Sequence, residues 1–180
     1  ARESIRPARD YDALNEFDPL FEDMYDYCEA QQLDIDALAH EMGPSQIEIN
    51  FIHGDPLRLA DHVYLFKRTV RETAFQHKVY AIFMAKPMAN LPGSALNLHQ
   101  SLFDLRSKRN LFADEEVKHT PLFLSFIAGL QTYLPEMMPM IGPNVNSYRR
   151  IIPNTAAPIN VHWGVDNRTV GLRVPFTEQA

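Results

Sequence analysis

Cysteine is nearly missing: one residue, Cys28, in a chain of 180. A lone thiol excludes an internal disulfide framework and fits a reducing compartment. It stands in the amphipathic stretch "FEDMYDYCEAQ", where a packed thiol is expected rather than a nucleophile. Long apolar runs are missing too, none nearing the roughly 20 residues that cross a bilayer. The opening "ARESIRPARDYDA" has no apolar centre like that of a secretory signal. The expectation is a soluble, cytoplasmic protein without a membrane partner. No Gly/Ser-rich linker, internal repeat or low-complexity tract divides the chain. With 46% hydrophobic residues it can bury a sizeable core, so one domain is the default. Its first residue is Ala and its last four are "TEQA", so an excerpt of a longer chain is expected.

Positive charge is scarce overall, at a net −6, which argues against a nucleic-acid partner. The scarcity is uneven. Residues 1–119 hold 13 Lys/Arg against 20 Asp/Glu, whereas residues 120–180 hold 4 against 3. Those four cations are all arginines: Arg149, Arg150, Arg168 and Arg173. Surface ion pairs account for isolated arginines, but four without a lysine tilt towards anion binding, since guanidinium forks match carboxylates and phosphates.

Several motifs are absent. No G-x-x-x-x-G-K-[ST] loop occurs, and one cysteine cannot form a CxxC pair. His40-Glu41 starts like the zinc-peptidase helix, but position 44 is Pro, which removes the second histidine and spoils the helix. His53, His62, His77, His119 and His162 stand singly and read as structural or solvated.

What is present is a mixture of helices and strands. Asp18-Pro19 and Asp55-Pro56 are helix openings, with Asp as N-cap and Pro at the first helical position. The first helix carries Leu20, Met24, Tyr27 and Cys28 as its stripe to about residue 31; the second carries Leu59, Val63, Phe66, Val70 and Ala74. A third, at roughly 120–134, is apolar nearly all round, as suits a core or an interface. Residues 1–16 read as irregular. Strands are expected at 46–51, 81–88, 95–102, 157–164 and 170–176. Such an order predicts an α+β fold, a mostly antiparallel sheet with helices packed on one face.

In "GSALNLHQSL" the leucines Leu96, Leu98 and Leu102 tend to one face, and Asn97, His99 and Ser101 share the other. Were the strands bearing Glu48, His99 and Arg173 neighbours in one sheet, its open face would carry a carboxylate, an imidazole and a guanidinium. That set suits a metal-assisted site for an anionic substrate. Glu41 and Glu48 lie seven apart across "MGPSQ". They read either as surface glutamates or as two carboxylates sharing one divalent ion, with oxygen donors favouring Mg²⁺ or Mn²⁺.

Seven segments in order, "HEMGPSQIEINF", "DPLRLADHVYLFK", "FMAKPM", "GSALNLHQSLFD", "NLF", "NSYRRIIP" and "AAPINVHWGVDNRTVGLRVP", resemble the middle of the glutamine synthetase catalytic domain, over residues about 20–176. They are most similar to the γ-glutamylpolyamine (γ-glutamylputrescine synthetase) branch. The resemblance implies an ATP-dependent ligase that phosphorylates the glutamate γ-carboxylate and joins it to ammonia or, more in keeping with this branch, a primary amine or polyamine. It implies that Glu41 and Glu48 hold a metal near glutamate, and that Gly93, His99 and Arg150 meet that substrate. Ser101, Arg168 and Arg173 would face the nucleotide, Arg168 and Arg150 acting in catalysis.

Two departures stand out. Asn97 occupies the position of a histidine that binds the nucleotide-side metal in the family, and a neutral amide is a weaker ligand. Ala156 stands where ammonia-using members carry a glutamate; its loss would leave room for a larger amine or, alternatively, would be one more lost catalytic group. The resemblance also makes residues 1–180 the central portion of the catalytic domain. An N-terminal β-grasp domain and the C-terminal part of the catalytic domain would lie outside them, with sites completed between subunits of a homo-oligomeric ring. Little activity is then expected of these residues alone. The alternative is a degenerate relative that keeps the fold for binding or assembly.

Overall fold

Both Asp-Pro steps open helices. In the computed structural model, α1 runs Asp18–Ala30 and α2 runs Pro56–Gln76. Asp55 caps α2 as expected, its carboxylate accepting from the Arg58 N–H at 2.9 Å. Asp18 behaves differently: Phe17 is the N-cap, without a side-chain bond, and Asp18 lies in the first turn. There its charge faces the positive end of the helix dipole instead of capping an N–H.

The structure describes residues 14–114, 116, 118–153, 155 and 157–175, which fall into two compact units, Ala1–Ser94 and Ala95–Ala180. Most of the expected irregular segment 1–16, and Ala156, lie outside the described residues.

In the first unit, strands β1 (Ile35–His40) and β2 (Ile47–Phe51) form an antiparallel hairpin. Its apolar face packs on the two helices. Met24, Cys28, Leu33, Phe66 and Val70 make the buried cluster, with Ile35, Leu38, Ile49 and Phe51 packed against it. Phe51 meets Phe66 edge-to-face at 5.0 Å, a geometry worth about 1 kcal/mol beyond area burial. Cys28 is buried, and burial pushes its thiol up to about 11, so it is the inert packed thiol expected.

The helices stop by the same device. Gln32 and Lys78 take left-handed conformations, φ 57° and 60°. The N–H of Leu33 then reaches the Cys28 carbonyl at 2.9 Å, and that of Val79 the Ala74 carbonyl at 3.0 Å. These are Schellman closures, and Leu33 also packs in the cluster that contains Cys28, the apolar contact such motifs carry.

In the second unit, β3 (Phe103–Asp104) pairs antiparallel with β4 (Arg109–Asn110). Helix α3 spans Pro121–Ile141, and the short α4 spans Val145–Tyr148. Strand β5 (Trp163–Val165) pairs with β6 (Leu172–Val174) in parallel. Helix α3 runs past the expected end near residue 134, through Pro135 and Pro139. Each proline loses one backbone bond, yet the turns around it continue. Phe112, Phe123, Phe126 and Trp163 form an aromatic cluster at α3, with His119 stacked on Phe123 at 4.4 Å.

One expectation is corrected. Among the described residues the strands form three two-stranded sheets, two of them antiparallel, instead of one sheet, and segments 81–88 and 95–102 enter none of them. Alternation gives a strand two faces, but a ladder also needs a partner backbone. Leu96 and Leu98, expected on a buried face, are 66% and 70% exposed. Only Trp163 and Gly164 of the expected strand 157–164 lie in β5. Glu48, His99 and Arg173 therefore do not share a sheet: Glu48 lies on β2, Arg173 on β6, and His99 in neither a helix nor a strand.

Candidate functional site

The hairpin register sets the carboxylates. His40 pairs with Ile47 and Ala39 with Glu48, and beyond them the Glu41 N–H donates to the Gln46 carbonyl at 2.8 Å. Residues opposite each other share a face, as do residues two apart on one strand. Ala39, Glu41, Gln46 and Glu48 thus line one face, while Leu38 and Ile49 pack into the core from the other. Glu41 and Glu48 are diagonal neighbours, with backbones roughly 7–8 Å apart in such a register. Side chains of that length can reach a common ion across such a separation, and both residues are half-buried; in this structure the Glu41 carboxylate accepts from the Met42 N–H at 3.2 Å. Their oxygens suit Mg²⁺ or Mn²⁺. Among the described residues no group of three or more His, Cys, Asp or Glu is placed to hold a metal ion.

Gly93 is tied to this face. The Gln46 amide donates from Nε2 to the Gly93 carbonyl at 2.9 Å and accepts at Oε1 from the Gly43 N–H at 2.8 Å. None of the sequence motifs singles out Gln46. The signal was available, since a polar residue two before Glu48 shares its face in any strand reading.

The remaining candidates lie in the second unit. Asn97, His99 and Ser101 sit in an exposed segment outside any strand. Its end is fixed where the Leu111 N–H meets the Leu102 carbonyl at 2.8 Å. Arg150 follows α4, whose start is capped by Asn144 accepting from the Ser147 N–H at 3.1 Å. Arg150 is half-buried and Arg149 exposed.

Arg168 lies in the loop between β5 and β6, and Arg173 is the middle residue of β6, opposite Gly164. Both arginines are exposed, and two asparagines shape their loop. Asn167 accepts from the Thr169 N–H at 2.9 Å and hydroxyl at 2.8 Å; Asn160 donates to the Thr169 carbonyl at 3.1 Å and accepts from the His162 N–H at 3.0 Å. Parallel strands ordinarily need a crossover of a dozen residues or more. Here the ladder is three residues long, so the chain retraces only about 7 Å, within reach of a short loop. Gly171 permits the close approach: a Cβ there would lie 2.2 Å from the Asn160 carbonyl oxygen.

His77 and His62, outside the candidate set, have side-chain partners. His77 bonds Asp23 at 2.7 Å, joining the end of α2 to α1, and His62 contacts Arg58 Nε at 3.3 Å. A shallow cavity of about 470 Å³ lies along α1 and α2, lined by Tyr27, Gln31, Thr69 and Gln76 among others, and holds none of the candidate residues. Among the described residues no helix is long and apolar enough to cross a membrane.

Comparison with known proteins matches residues 2–180 to the family described as glutamine synthetase, catalytic domain. A γ-glutamylputrescine synthetase, PuuA of Escherichia coli (strain K12), is 38% identical over 165 residues, covering 91% of this chain and 35% of the relative. The chain thus spans about a third of that relative's length. The solved structure "Apo GmaS without ligand" superposes with a TM-score of 0.83 at 30% identity, over 96% of this chain and 40% of that one. A "GmaS/ADP complex" superposes at 0.75 with 27% identity, over 96% and 42%.

Proposed function

The chain belongs to the glutamine synthetase family, and from that premise we propose that the protein carrying it joins the γ-carboxylate of glutamate to an amine at the expense of ATP. The observation that carries this reading is the β1–β2 face, where Glu41 and Glu48 are diagonal neighbours and Gln46 reaches Gly93. The likeness to a γ-glutamylputrescine synthetase favours a primary amine or polyamine over ammonia. Nucleotide use has support from the ADP complex of a similar structure.

In the proposed reaction the glutamate γ-carboxylate attacks the terminal phosphorus of ATP. ADP leaves, a γ-glutamyl phosphate forms, and the amine nitrogen displaces phosphate from it. Glu41 and Glu48 would hold a divalent cation, which neutralises phosphoryl charge when bound. Arg168 and Arg173 bind ATP phosphates, and Arg168 meets the charge spread over the transferring phosphoryl oxygens. Arg150 grips the glutamate α-carboxylate, for which a planar guanidinium fork is suited. The Gly93 backbone and His99 hold the same substrate, and Ser101 faces the nucleotide. Assembly into a homo-oligomeric ring belongs to the same reading.

The test is phosphate release by the full protein with glutamate, ATP and Mg²⁺. Putrescine or another primary amine should stimulate release more than ammonium does. Release that depends on no amine would remove the proposal.

A further inference from the structure

We infer that Gln46 is a positioning residue that sets the Gly93–Ser94 peptide against the carboxylate face of the hairpin; this rests on the proposed role of Gly93 in meeting glutamate. The first support is bonding polarity. Oε1 accepts from Gly43 and Nε2 donates to Gly93. A flipped amide would set donor on donor and acceptor on acceptor, so the orientation is unique. An amide side chain offers an acceptor and a donor at fixed, separate positions on one tip, and Gln46 uses one of each.

The second support is the anchoring of Gln46 itself. Its carbonyl accepts from the Glu41 N–H at 2.8 Å, and its N–H donates to the Gly43 carbonyl at 3.0 Å. Backbone and side chain are both tied into the turn joining the two carboxylate-bearing segments. Gly43 is part of the same device. A Cβ there would lie 2.8 Å from Gln46 Oε1 and 3.3 Å from its Cβ, so a side chain would push the amide aside.

The third support concerns the peptide being held. The Gly93 carbonyl and the Ser94 N–H belong to one planar unit. Its oxygen is held by Gln46 Nε2, and its N–H donates to the Ala85 carbonyl at 2.8 Å. Fixed at both ends, the plane cannot rotate. Releasing the Gln46 end frees Gly93 to turn away from the face that bears Glu41 and Glu48.

The test uses two variants of the full protein. Gln46→Glu keeps the side-chain shape and the acceptor for Gly43 but sets a carboxylate oxygen against the Gly93 carbonyl. Gly43→Ala leaves Gln46 chemically intact but displaces it. Both should raise the KM for glutamate about five- to tenfold, the scale of one lost hydrogen bond, and leave the KM for ATP unchanged. Both should also speed hydrogen exchange at the Ser94 amide. Unchanged exchange would overturn the clamp. Faster exchange with an unchanged KM for glutamate would leave Gln46 purely structural, and overturn its role towards substrate. A wild-type protein without turnover, but with variant-dependent exchange at Ser94, would fault the proposed reaction while leaving the clamp in place.

Discussion

The Asp104 carboxylate accepts from the Ser107 hydroxyl at 2.6 Å and from the N–H groups of Arg106 and Ser107 at 3.1 and 3.2 Å. The Ser107 hydroxyl, and after it these amides, hold its pKa below the ordinary 3.8. A carboxylate whose folded pKa is depressed contributes stability above its unfolded pKa. It loses that contribution as pH falls through the lower folded value. The turn between β3 and β4 should therefore hold to below pH 3.8 and loosen only in stronger acid. Followed by NMR, the Arg106 and Ser107 amides should titrate below that value, and Asp104→Asn should abolish the titration; a midpoint above it would contradict the assignment. Asn97 invites a different measurement. If an imidazole belongs at its exposed position, Asn97→His should raise Mn²⁺ affinity in the presence of nucleotide. The gain should reach at least about tenfold, since even outer partners of metal ligands are worth about 10–100-fold. Calorimetry on the full protein reads this directly, and no gain would mean that the amide is not what limits metal binding.

Among the elements, the two Schellman closures carry removable strain. Lys78, with φ 60°, occupies a left-handed position ordinarily filled by glycine. That conformation costs a residue with Cβ about 1–2 kcal/mol, and glycine returns part of the gain as unfolded-state entropy. Lys78→Gly should thus stabilise the first unit by about 0.5–1 kcal/mol, seen as a raised denaturant midpoint at unchanged slope. Gly171→Ala has the opposite sign. With the Asn160 carbonyl 2.2 Å from the new methyl, backbone must shift at a cost of about 1–3 kcal/mol. The β5–β6 loop should lose its order, seen as faster exchange at Thr169 and Leu172. ATP binding should weaken with it if Arg168 and Arg173 act as proposed.

How far these elements were legible follows local chemistry. Helices α1 and α2 announced themselves through Asp-Pro openings and apolar spacing and α3 through its apolar run, because these signals reside in adjacent residues; the short α4 was not read from the sequence. Strand β2 was legible from Ile47, Ile49 and Phe51, which are large and alternate. Its partner β1 was not: "IDALAH" offers alanines on one face, and its register shifts between Ile35 and Ala37. Segment 95–102 failed the other way, with good alternation and no ladder. The carboxylate pair was readable as a spacing, and Gln46 as sharing the Glu48 face, but placing Glu41 on that face needed the register. Gly171 gave no sequence signal at all, since what it avoids is a carbonyl eleven residues earlier.

At the level of the whole chain, apolar surface is divided in a way one core does not explain. On α2 the buried Phe66, Val70 and Ala74 face the core. Leu57, Tyr64 and Phe75, 74%, 76% and 65% exposed, fall together on the opposite side. Three large apolar side chains so exposed on one side of a helix offer contact points to an apolar probe. Residues 1–180 by themselves should bind a hydrophobic dye while still folded, and Leu57→Lys with Tyr64→Lys should suppress that binding without lowering the melting temperature. Dye fluorescence below the melting transition reads the difference.

The β1–β2 hairpin carries a last consequence, which concerns error. A slip of one residue in either strand exchanges its two faces. It would drive Glu41 or Glu48 into the cluster around Met24 and Phe66 and lift Leu38 or Ile49 into water. A molecule with misplaced carboxylates is then also a molecule with a broken core. The apolar residues thus proofread the polar ones, and a mispaired hairpin fails at folding before it can fail at chemistry.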